Sequence, residues 1–585
     1  MTTTDTKTLR GGDFLIAETR IDDIFTPEDF SEDQQMIADM ARDFIDTHIA
    51  PHFERLEQLD LELTTDLLLA AGEQGLIGVP FPEEYGGTAQ GFTTSMLLAE
   101  IMARSRSFSL SLGAHHGIGM LPILYFGTDA QKAQYLPDMI AGSKRGAYCL
   151  TEPDSGSDAL SAKSTATLSS DESHYVLDGQ KMWITNGGFA DVFVVFAKVD
   201  GVHFTGFIVE RDYPGVSVGA EERKMGIKGS STRQVFFEQV KVPAENVLGK
   251  VGQGHKIAFN ILNIGRIKLA AGAIGGSKQA MEYAARYAQE RYQFKVPIAS
   301  FGAIQHKIGE MAARIYAVEA AAYRAAHDIE LTEAQHIDSG KPYGDSLLAA
   351  AEEYAIECAL LKVHGSECLD YCVDEAVQVY GGMGYSEEMP VAALYRDARI
   401  NRIFEGTNEI NRLLSMDRLL KRAHSGQLPL FEEAANMQRA LQDNPDAAYG
   451  DENTSRELSL VQRMKKAYLL LLGATARQVG SALAQEQEIL ILLSDMMGDI
   501  YLAESAALRA LKVTEQATYH RDCSAVFVQE AMERFDTNAR RLLYSWSVEN
   551  KTDRFRSVLA QLLQYPGVNI KEARRRLAQV VYERV

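Results

Sequence analysis

The sequence predicts a multidomain α+β protein in which a helical domain, a β domain, a helix bundle and a further helical unit follow one another. Its 585 residues are enough for roughly three or four domains. Apolar residues recur at helical spacing in the first and last parts of the chain. A central stretch instead has short β-branched and aromatic runs separated by turn residues, and this change of period predicts the domain boundaries.

The first part of the chain is predicted to be an arm followed by helices. Residues 1–29 form the predicted N-terminal arm, and residues 30–146 form a helical domain. Within that domain Met36, Ile37, Met40, Ala41 and Phe44 recur at three- and four-residue steps, which indicates one buried stripe on an amphipathic helix.

The middle of the chain, residues 147–250, is predicted to be a β domain. The run from Tyr175 to Gly179 is typical of a strand that enters a turn. Further β-branched or aromatic runs at 192–199 and 235–237 are separated by Gly, Pro and Asp.

Three units complete the predicted organisation. Residues 251–424 are rich in Ala, Glu, Leu and Ile at helical spacing and predict a helix bundle. The polar stretch 425–455, which contains Pro and Asp, predicts a linker or surface loop. Residues 456–585 predict an additional helical domain.

The composition argues against nucleic acid as a partner. The net charge is −21, from 59 Lys and Arg against 80 Asp and Glu, whereas phosphate binding needs clustered basic residues. The five cysteines, an odd number in a large chain, indicate reduced thiols inside a cell. Cys368 and Cys372 lie four apart with only His364 nearby, so buried core thiols are favoured and no metal site is predicted.

The N-terminal twenty residues lack the apolar core of a signal peptide. They also carry acidic residues, which transit peptides avoid, and we therefore expect a cytoplasmic protein. No run reaches the roughly eighteen apolar residues needed to span a membrane.

A carboxylate lies between an aromatic residue and a glycine turn in the run RIFEGTNE, residues 402–409. If apolar walls surround Glu405, its charged form is disfavoured, its pKa rises and it becomes a usable base near neutral pH. The alternative is a solvated glutamate at a helix start, with Thr407 as the N-cap. Two further motifs favour the base.

These motifs are CLTEPDSGSD at 149–158 and KMWITNGG at 181–188. Together with RIFEGTNE, and in this order, they resemble the acyl-CoA dehydrogenase family of flavoenzymes over about residues 30–425. The very-long-chain branch is indicated by LGAH at 112–115, GIKGS at 226–230 and ILNIGR at 261–266. The resemblance implies an N-terminal α-helical domain, a middle β-barrel domain, a C-terminal four-helix bundle and an additional C-terminal α-helical domain.

The resemblance also implies FAD as the cofactor. Thr151 is expected to bond the pyrimidine side of the isoalloxazine ring, Trp183 to lie against the ring, and Thr185 to place its hydroxyl near N5. Further expected FAD contacts, some of them in the neighbouring subunit of a homodimer, are Tyr148, Leu150, Arg291, Phe294, Gln305, Gln378, Gly381, Gly382, Thr407 and Glu409. Glycines let backbone N–H groups approach phosphate.

By the same resemblance Glu405 is the catalytic base. It matches the glutamate that removes the pro-R α-proton of an acyl thioester, whose carbonyl is polarised by a flavin ribityl hydroxyl and by the backbone N–H of that glutamate. Each such donor contributes roughly a few kcal/mol. Hydride then passes from the β-carbon to flavin N5. The implied reaction is α,β-dehydrogenation of long-chain acyl-CoA to trans-2-enoyl-CoA, the first step of fatty acid β-oxidation.

Expected substrate contacts are Ser157, Asn263, Arg266, Phe404 and Gly406. Ser157 and Arg266 match residues that contact CoA, with Arg266 supplying positive charge. Gly113 and Ala114 lie where a bulkier residue would close a shorter acyl tunnel, which predicts a long chain. Helix packing is the alternative reason for a glycine at this position.

The expected electron acceptor is electron-transfer flavoprotein, and the expected assembly is a homodimer in which the additional domain covers the surface that builds a tetramer in shorter relatives. Acidic residues in 425–455 argue against membrane association by the route of mitochondrial relatives. One alternative is an acyl-CoA oxidase, disfavoured by the Thr-Glu-Pro run at 151–153 and by the lack of a terminal peroxisomal tripeptide. The other is a scaffold protein without the chemistry, disfavoured by Glu405.

Overall fold

The computed structural model describes residues 9–443, 454–546 and 552–585. The helices of the N-terminal domain are α1 (Glu32–Phe44), α2 (Phe53–Glu57), α3 (Leu61–Glu73), α4 (Phe92–Met102), α5 (Ser107–Gly113), α6 (Leu121–Phe126) and α7 (Asp129–Ile140). The stripe predicted on α1 is only partly right. Ala41 and Phe44 are buried as predicted, but Met36 is 67% exposed, because the buried face follows Ala38, Ala41 and Phe44 at steps of three.

The middle domain is an eight-stranded sheet. Its strands are β1 (Gly146–Cys149), β2 (Thr165–Leu168), β3 (His174–Thr185), β4 (Val192–Val199), β5 (His203–Glu210), β6 (Val216–Glu221), β7 (Thr232–Pro243) and β8 (Val247–Leu248). The order is β6-β7-β3-β2-β4-β5-β8, and β1 pairs in parallel with β4. Within the described chain no pairing joins β6 to β8, which has only two residues, so the structure shows an open sheet in place of the predicted β-barrel.

The next domain contains the predicted helix bundle. Its elements are α8 (Gly254–Glu290), β9 (Tyr292–Gln293), β10 (Val296–Pro297), α9 (Gly302–Asp338), α10 (Tyr343–Glu353), α11 (Ala355–Tyr380), α12 (Pro390–Ala398) and α13 (Asn408–His424). Helices α8, α9 and α11 pack on one another, and α13 packs on α11. By length and composition α8 could cross a membrane, but 67% of its most apolar window is buried inside the protein, so core packing accounts for its hydropathy.

The last helices are α14 (Leu430–Asp443), α15 (Arg456–Val479), α16 (Gln487–Lys512), α17 (Ala517–Trp546), α18 (Thr552–Leu562) and α19 (Ile570–Arg584). The linker prediction for 425–455 is wrong at α14, where Leu430 and Ala434 form a buried edge against α15. An i, i+4 apolar pair within a polar composition explains the error. The remainder of that stretch, residues 444–453, lies outside the described residues.

From residue 9 onward the N-terminal arm packs into the protein. Phe14 and Leu15 are buried, and the Gly12 N–H donates to the Glu357 carboxylate at 2.8 Å. Glu28 pairs with Arg509 of α16 at 2.6 Å. The arm therefore joins the helix bundle to the additional C-terminal domain.

Candidate active site

The RIFEGTNE run forms a turn that leads into α13. Glu405 and Gly406 both have a left-handed backbone, with φ of 58° and 82°, a conformation that costs a non-glycine residue roughly 1–3 kcal/mol. The buried Asn411 amide holds the turn, since its Nδ2 lies 3.3, 2.8 and 3.1 Å from the carbonyl oxygens of residues 405, 406 and 407. Thr407 caps α13 by accepting the Ile410 N–H at 3.2 Å. The N-cap reading is thus right for Thr407, but Glu405 is not solvated at the surface.

The Glu405 side chain lines a cavity of about 260 Å³ between the N-terminal domain and the helix bundle. Gly265 on α8 allows the close approach, because a methyl group there would lie 3.0 Å from Glu405 Oε2. No donor among the described residues hydrogen-bonds this oxygen. Burial raises the pKa of Glu405 above its ordinary 4.5, although the Arg266 and Lys362 cations oppose the shift. A base near neutral pH requires this environment.

Two buried cations flank the turn. Arg266 donates from Nε to the Glu405 carbonyl at 3.3 Å and from Nη1 to Asn263 Oδ1 at 2.7 Å. Lys362 on α11 donates to Asn408 Oδ1 at 2.8 Å, and burial lowers its pKa to about 8. One predicted substrate contact, Arg266, therefore bonds the base turn in this structure, and a second, Asn263, bonds Arg266.

The KMWITNGG run lies at a bulge in β3, where the register with β7 shifts between Lys181 and Ile184. Here the Met182 N–H donates to the Thr151 carbonyl at 2.9 Å, which brings two of the predicted flavin motifs together. Trp183 has φ 61° and is 52% exposed. An exposed indole offers an apolar face on which a planar ring can stack.

A buried ion pair joins the same two motifs. Lys181 is completely buried and its Nζ lies 2.6 Å from Glu152 Oε1. Glu152 also accepts the N–H groups of Lys163 and Ser164, at 2.5 and 3.1 Å. Burial alone would raise the pKa of Glu152, and the Lys181 ammonium outweighs it and holds that pKa below its usual value. This pair was not predicted from the sequence, although each of the two motifs contains one of its members.

Thr185 lines the same cavity as Glu405 and Phe404, so the structure brings the second motif to the base. Tyr148 and Leu150 are buried. No described residue pairs with the Tyr148 hydroxyl, whose pKa burial and then Glu405 raise well above its usual value. Ser157 is exposed and does not line this cavity.

The other predicted FAD contacts lie away from the base. Phe294 on the β9–β10 hairpin is 87% exposed. Glu409 is exposed on the first turn of α13, where backbone hydrogen bonding lowers its pKa. None of the following lines the Glu405 cavity of its own subunit: Arg291, Phe294, Gln305, Gln378, Gly381, Gly382 and Glu409.

The additional C-terminal domain supports the helix that follows the base. Arg412 on α13 pairs with Glu367 of α11 at 2.8 Å and with Asp495 of α16 at 2.6 Å. Three residues that support the base turn were not predicted from the sequence: Arg412, Asn411 and Lys362. Nothing in their spacing marks them, since each acts through a partner from another segment or through the turn.

All five cysteines are buried and free of disulfides. Across residues 9–443, 454–546 and 552–585, no group of three or more His, Cys, Asp and Glu side chains is placed to hold a metal ion.

A carboxylate and a threonine on the walls of one cavity, next to an exposed indole on a β sheet, are features of a flavin-dependent dehydrogenase. Four family domains match the chain: acyl-CoA dehydrogenase N-terminal domain at 31–143, middle domain at 147–240, C-terminal domain at 252–420 and a second C-terminal domain at 463–564. The chain belongs to the acyl-CoA dehydrogenase family and is an FAD-dependent enzyme.

Individual relatives agree with this assignment. The chain is 47% identical over 579 residues to "Probable acyl-CoA dehydrogenase" of Bacillus subtilis (strain 168), covering 98% of each chain. It is 41% identical over 390 residues to "Very long-chain specific acyl-CoA dehydrogenase, mitochondrial" of Rattus norvegicus, covering 65% of this chain and 56% of that protein. A crystal structure of an acyl-CoA dehydrogenase complexed with FAD from Bacillus anthracis has 46% identity and a TM-score of 0.96, covering 98% of this chain and 99% of that one.

Proposed function

We propose that this enzyme dehydrogenates long-chain fatty acyl-CoA to trans-2-enoyl-CoA, the first step of fatty acid β-oxidation. The observation that carries the proposal is the Glu405 carboxylate, which lines a cavity with Thr185 and has one oxygen without a donor in the described protein. The exposed Trp183, Thr185 and the buried unpaired Tyr148 hydroxyl fit a flavin on that side. FAD, when bound, supplies the acceptor for the two electrons removed from the acyl chain.

Glu405 takes the α-proton in this proposal. Its raised pKa makes it a stronger proton acceptor than an exposed glutamate, and the Arg266 and Lys362 cations keep the ionised form accessible. The Glu405 N–H has no acceptor within the described chain, and we assign it as a donor to the thioester carbonyl oxygen. One such donor contributes roughly 3 kcal/mol to the transition state.

A long acyl chain is supported by open space along the cavity. Gly113, Gly117 and Gly272 line it, and a methyl group at any of the three would meet no atom within 4 Å. The cavity can therefore continue past these backbones without moving a neighbour. The name of the rat relative, "Very long-chain specific acyl-CoA dehydrogenase, mitochondrial", agrees with this part of the proposal.

We propose a homodimer in which the neighbouring subunit completes the FAD site. The support is a set of exposed aromatic side chains near the predicted pyrophosphate contacts, with Tyr292, Phe294 and Tyr385 exposed by 60, 87 and 90%. Exposed apolar groups of this size mark interaction surfaces. Light scattering at micromolar concentration tests the assembly, and a tetramer would contradict it.

We propose electron-transfer flavoprotein as the electron acceptor. The alternative acceptor, oxygen, would make the protein an oxidase. The substrate-reduced enzyme is mixed either with electron-transfer flavoprotein or with oxygenated buffer. Rapid reduction of the flavoprotein without peroxide release supports the dehydrogenase, and stoichiometric peroxide supports the oxidase.

Glu405→Gln tests the base. We expect the variant to keep FAD but to lose bleaching of the flavin absorbance when palmitoyl-CoA is added without oxygen, because the amide cannot accept the proton. Glu73→Gln, an exposed position at the end of α3, is the matched control and should bleach like the wild type. Bleaching of Glu405→Gln at the wild-type rate would refute the assignment.

A further inference from the structure

A lysine in the wall of the substrate cavity has no part in the function proposed above. Lys268 lies on α8 one helical turn after Gly265, the residue against which the Glu405 carboxylate packs. It lines the Glu405 cavity and also a second cavity of about 500 Å³. Among the lining residues, only Leu121 and Ile264 also line both cavities, so Lys268 lies where the two cavities meet.

The Lys268 ammonium has no hydrogen bond or ion pair among the described residues, and burial lowers its pKa to about 8. The second cavity contains glutamates, but they are engaged or exposed. Glu330 accepts the Thr93 N–H and hydroxyl, both at 2.7 Å. Burial raises the pKa of Glu333 to about 7, which reduces its charge near neutrality. Residues 83 and 84 are exposed to solvent.

The other basic groups in the Glu405 cavity are not equivalent to Lys268. Arg106 lies over the Phe53 ring, 4.3 Å from its centroid. Burial raises the pKa of Asp397, and the nearby Arg106 cation opposes that rise. His116 bonds the Leu112 carbonyl through Nδ1 at 2.8 Å, and burial lowers its pKa to about 3, so it stays neutral. Within the described lining, Lys268 is therefore a cation that no carboxylate balances.

An unpaired ammonium beside an alkyl chain is unfavourable, whereas a carboxylate would give it a charge-assisted hydrogen bond. We propose that Lys268 binds a carboxylate at the far end of the acyl chain, so that ω-carboxyacyl-CoA esters, the monothioesters of dicarboxylic acids, are a second substrate class. The α- and β-carbons stay at Glu405, and the reaction is unchanged. The second cavity gives the carboxylate access to water. This inference rests on the proposed function and extends its substrate range.

The test compares ω-carboxyacyl-CoA and plain acyl-CoA esters of equal length, from about six to sixteen carbons, through the ratio of their kcat/KM values. In the wild type we expect this ratio to peak at the length that reaches Lys268. Lys268→Met should lower the peak ratio at least about tenfold, the effect of one charge-assisted hydrogen bond. Lys268→Arg should retain it, and Lys256→Met, an exposed lysine on the same helix, should not change it.

The outcomes separate this inference from the proposed function. If Lys268→Met leaves the ratio of the two substrate classes unchanged, the inference is wrong. It is also wrong if palmitoyl-CoA bleaches the wild-type flavin and no ω-carboxyacyl-CoA does, although the proposed function then stands. If neither class bleaches the flavin, both are overturned.

Discussion

Removing the Lys181 ammonium should separate the two motifs that form the flavin side of the cavity. In Lys181→Met the Glu152 carboxylate stays buried, with two backbone N–H donors but without its cation. Leaving a buried charge uncompensated costs about 3–5 kcal/mol. We expect the melting temperature of the FAD-saturated enzyme to fall by about 2–4 °C, because the unfolding entropy grows with chain length.

The same change should weaken FAD binding. The ion pair holds the segment of Thr151, which follows β1, against the bulge that exposes Trp183, so its loss lets the two sides of the predicted flavin site move apart. We expect the Kd of FAD, measured by fluorescence titration of the apoenzyme, to rise at least about tenfold, since misplacement by about 1 Å can cost a hundredfold in an active site.

Lys163→Met is the matched control. It removes an ammonium that pairs with Asp154 at 2.6 Å, but these side chains are 73 and 71% exposed and the pair contributes little. The backbone N–H of residue 163, which bonds Glu152, is kept. If Lys181→Met and Lys163→Met have the same melting temperature, or if both bind FAD with the wild-type Kd, the role given to the buried pair is refuted.

Three further predictions concern the base and the cavity. Arg266→Gln removes a cation that lowers the pKa of Glu405. The pH at which kcat/KM is lost on acidification should therefore move to a higher value, and an unchanged pH profile would contradict this. Asn411→Leu frees three turn carbonyls and should lower kcat about tenfold or more with FAD still bound, as rapid kinetics would show. Gly272→Leu fills open cavity space and displaces about four methylenes of a long acyl chain, at roughly 0.8 kcal/mol each. The kcat/KM for palmitoyl-CoA should therefore fall about a hundredfold relative to that for hexanoyl-CoA. Equal losses for both substrates would exclude the cavity effect.

The order of the domains was predictable because hydrophobic period changes with secondary structure. The predicted strand at 192–199 is β4 as the structure has it, since its β-branched and aromatic run is buried along nearly its whole length. The open sheet and helix α14, which the structure shows in place of the predicted barrel and linker, were not predictable in this way. Closure of the sheet would depend on a two-residue strand, and α14 has only a short apolar edge.

The candidate site was predictable as a set of motifs but not as a network. Glu405 and the segments around Thr151 and Trp183 were predictable from their motifs. The contacts that hold these segments were not, because Lys181 and Glu152 are 29 positions apart and no local pattern relates them. The contact of Arg266 with CoA stays a prediction, and its hydrogen bond to the base turn was not predictable from the sequence.

The arm sets an order of events during synthesis. Glu28 is made early, but its partner Arg509 follows 481 residues later. At typical elongation rates the ribosome needs roughly 25–100 s to cover that distance. Until then Phe14 and Leu15 have no finished core to enter, so a chain stopped before α16 would present them to chaperones and proteases.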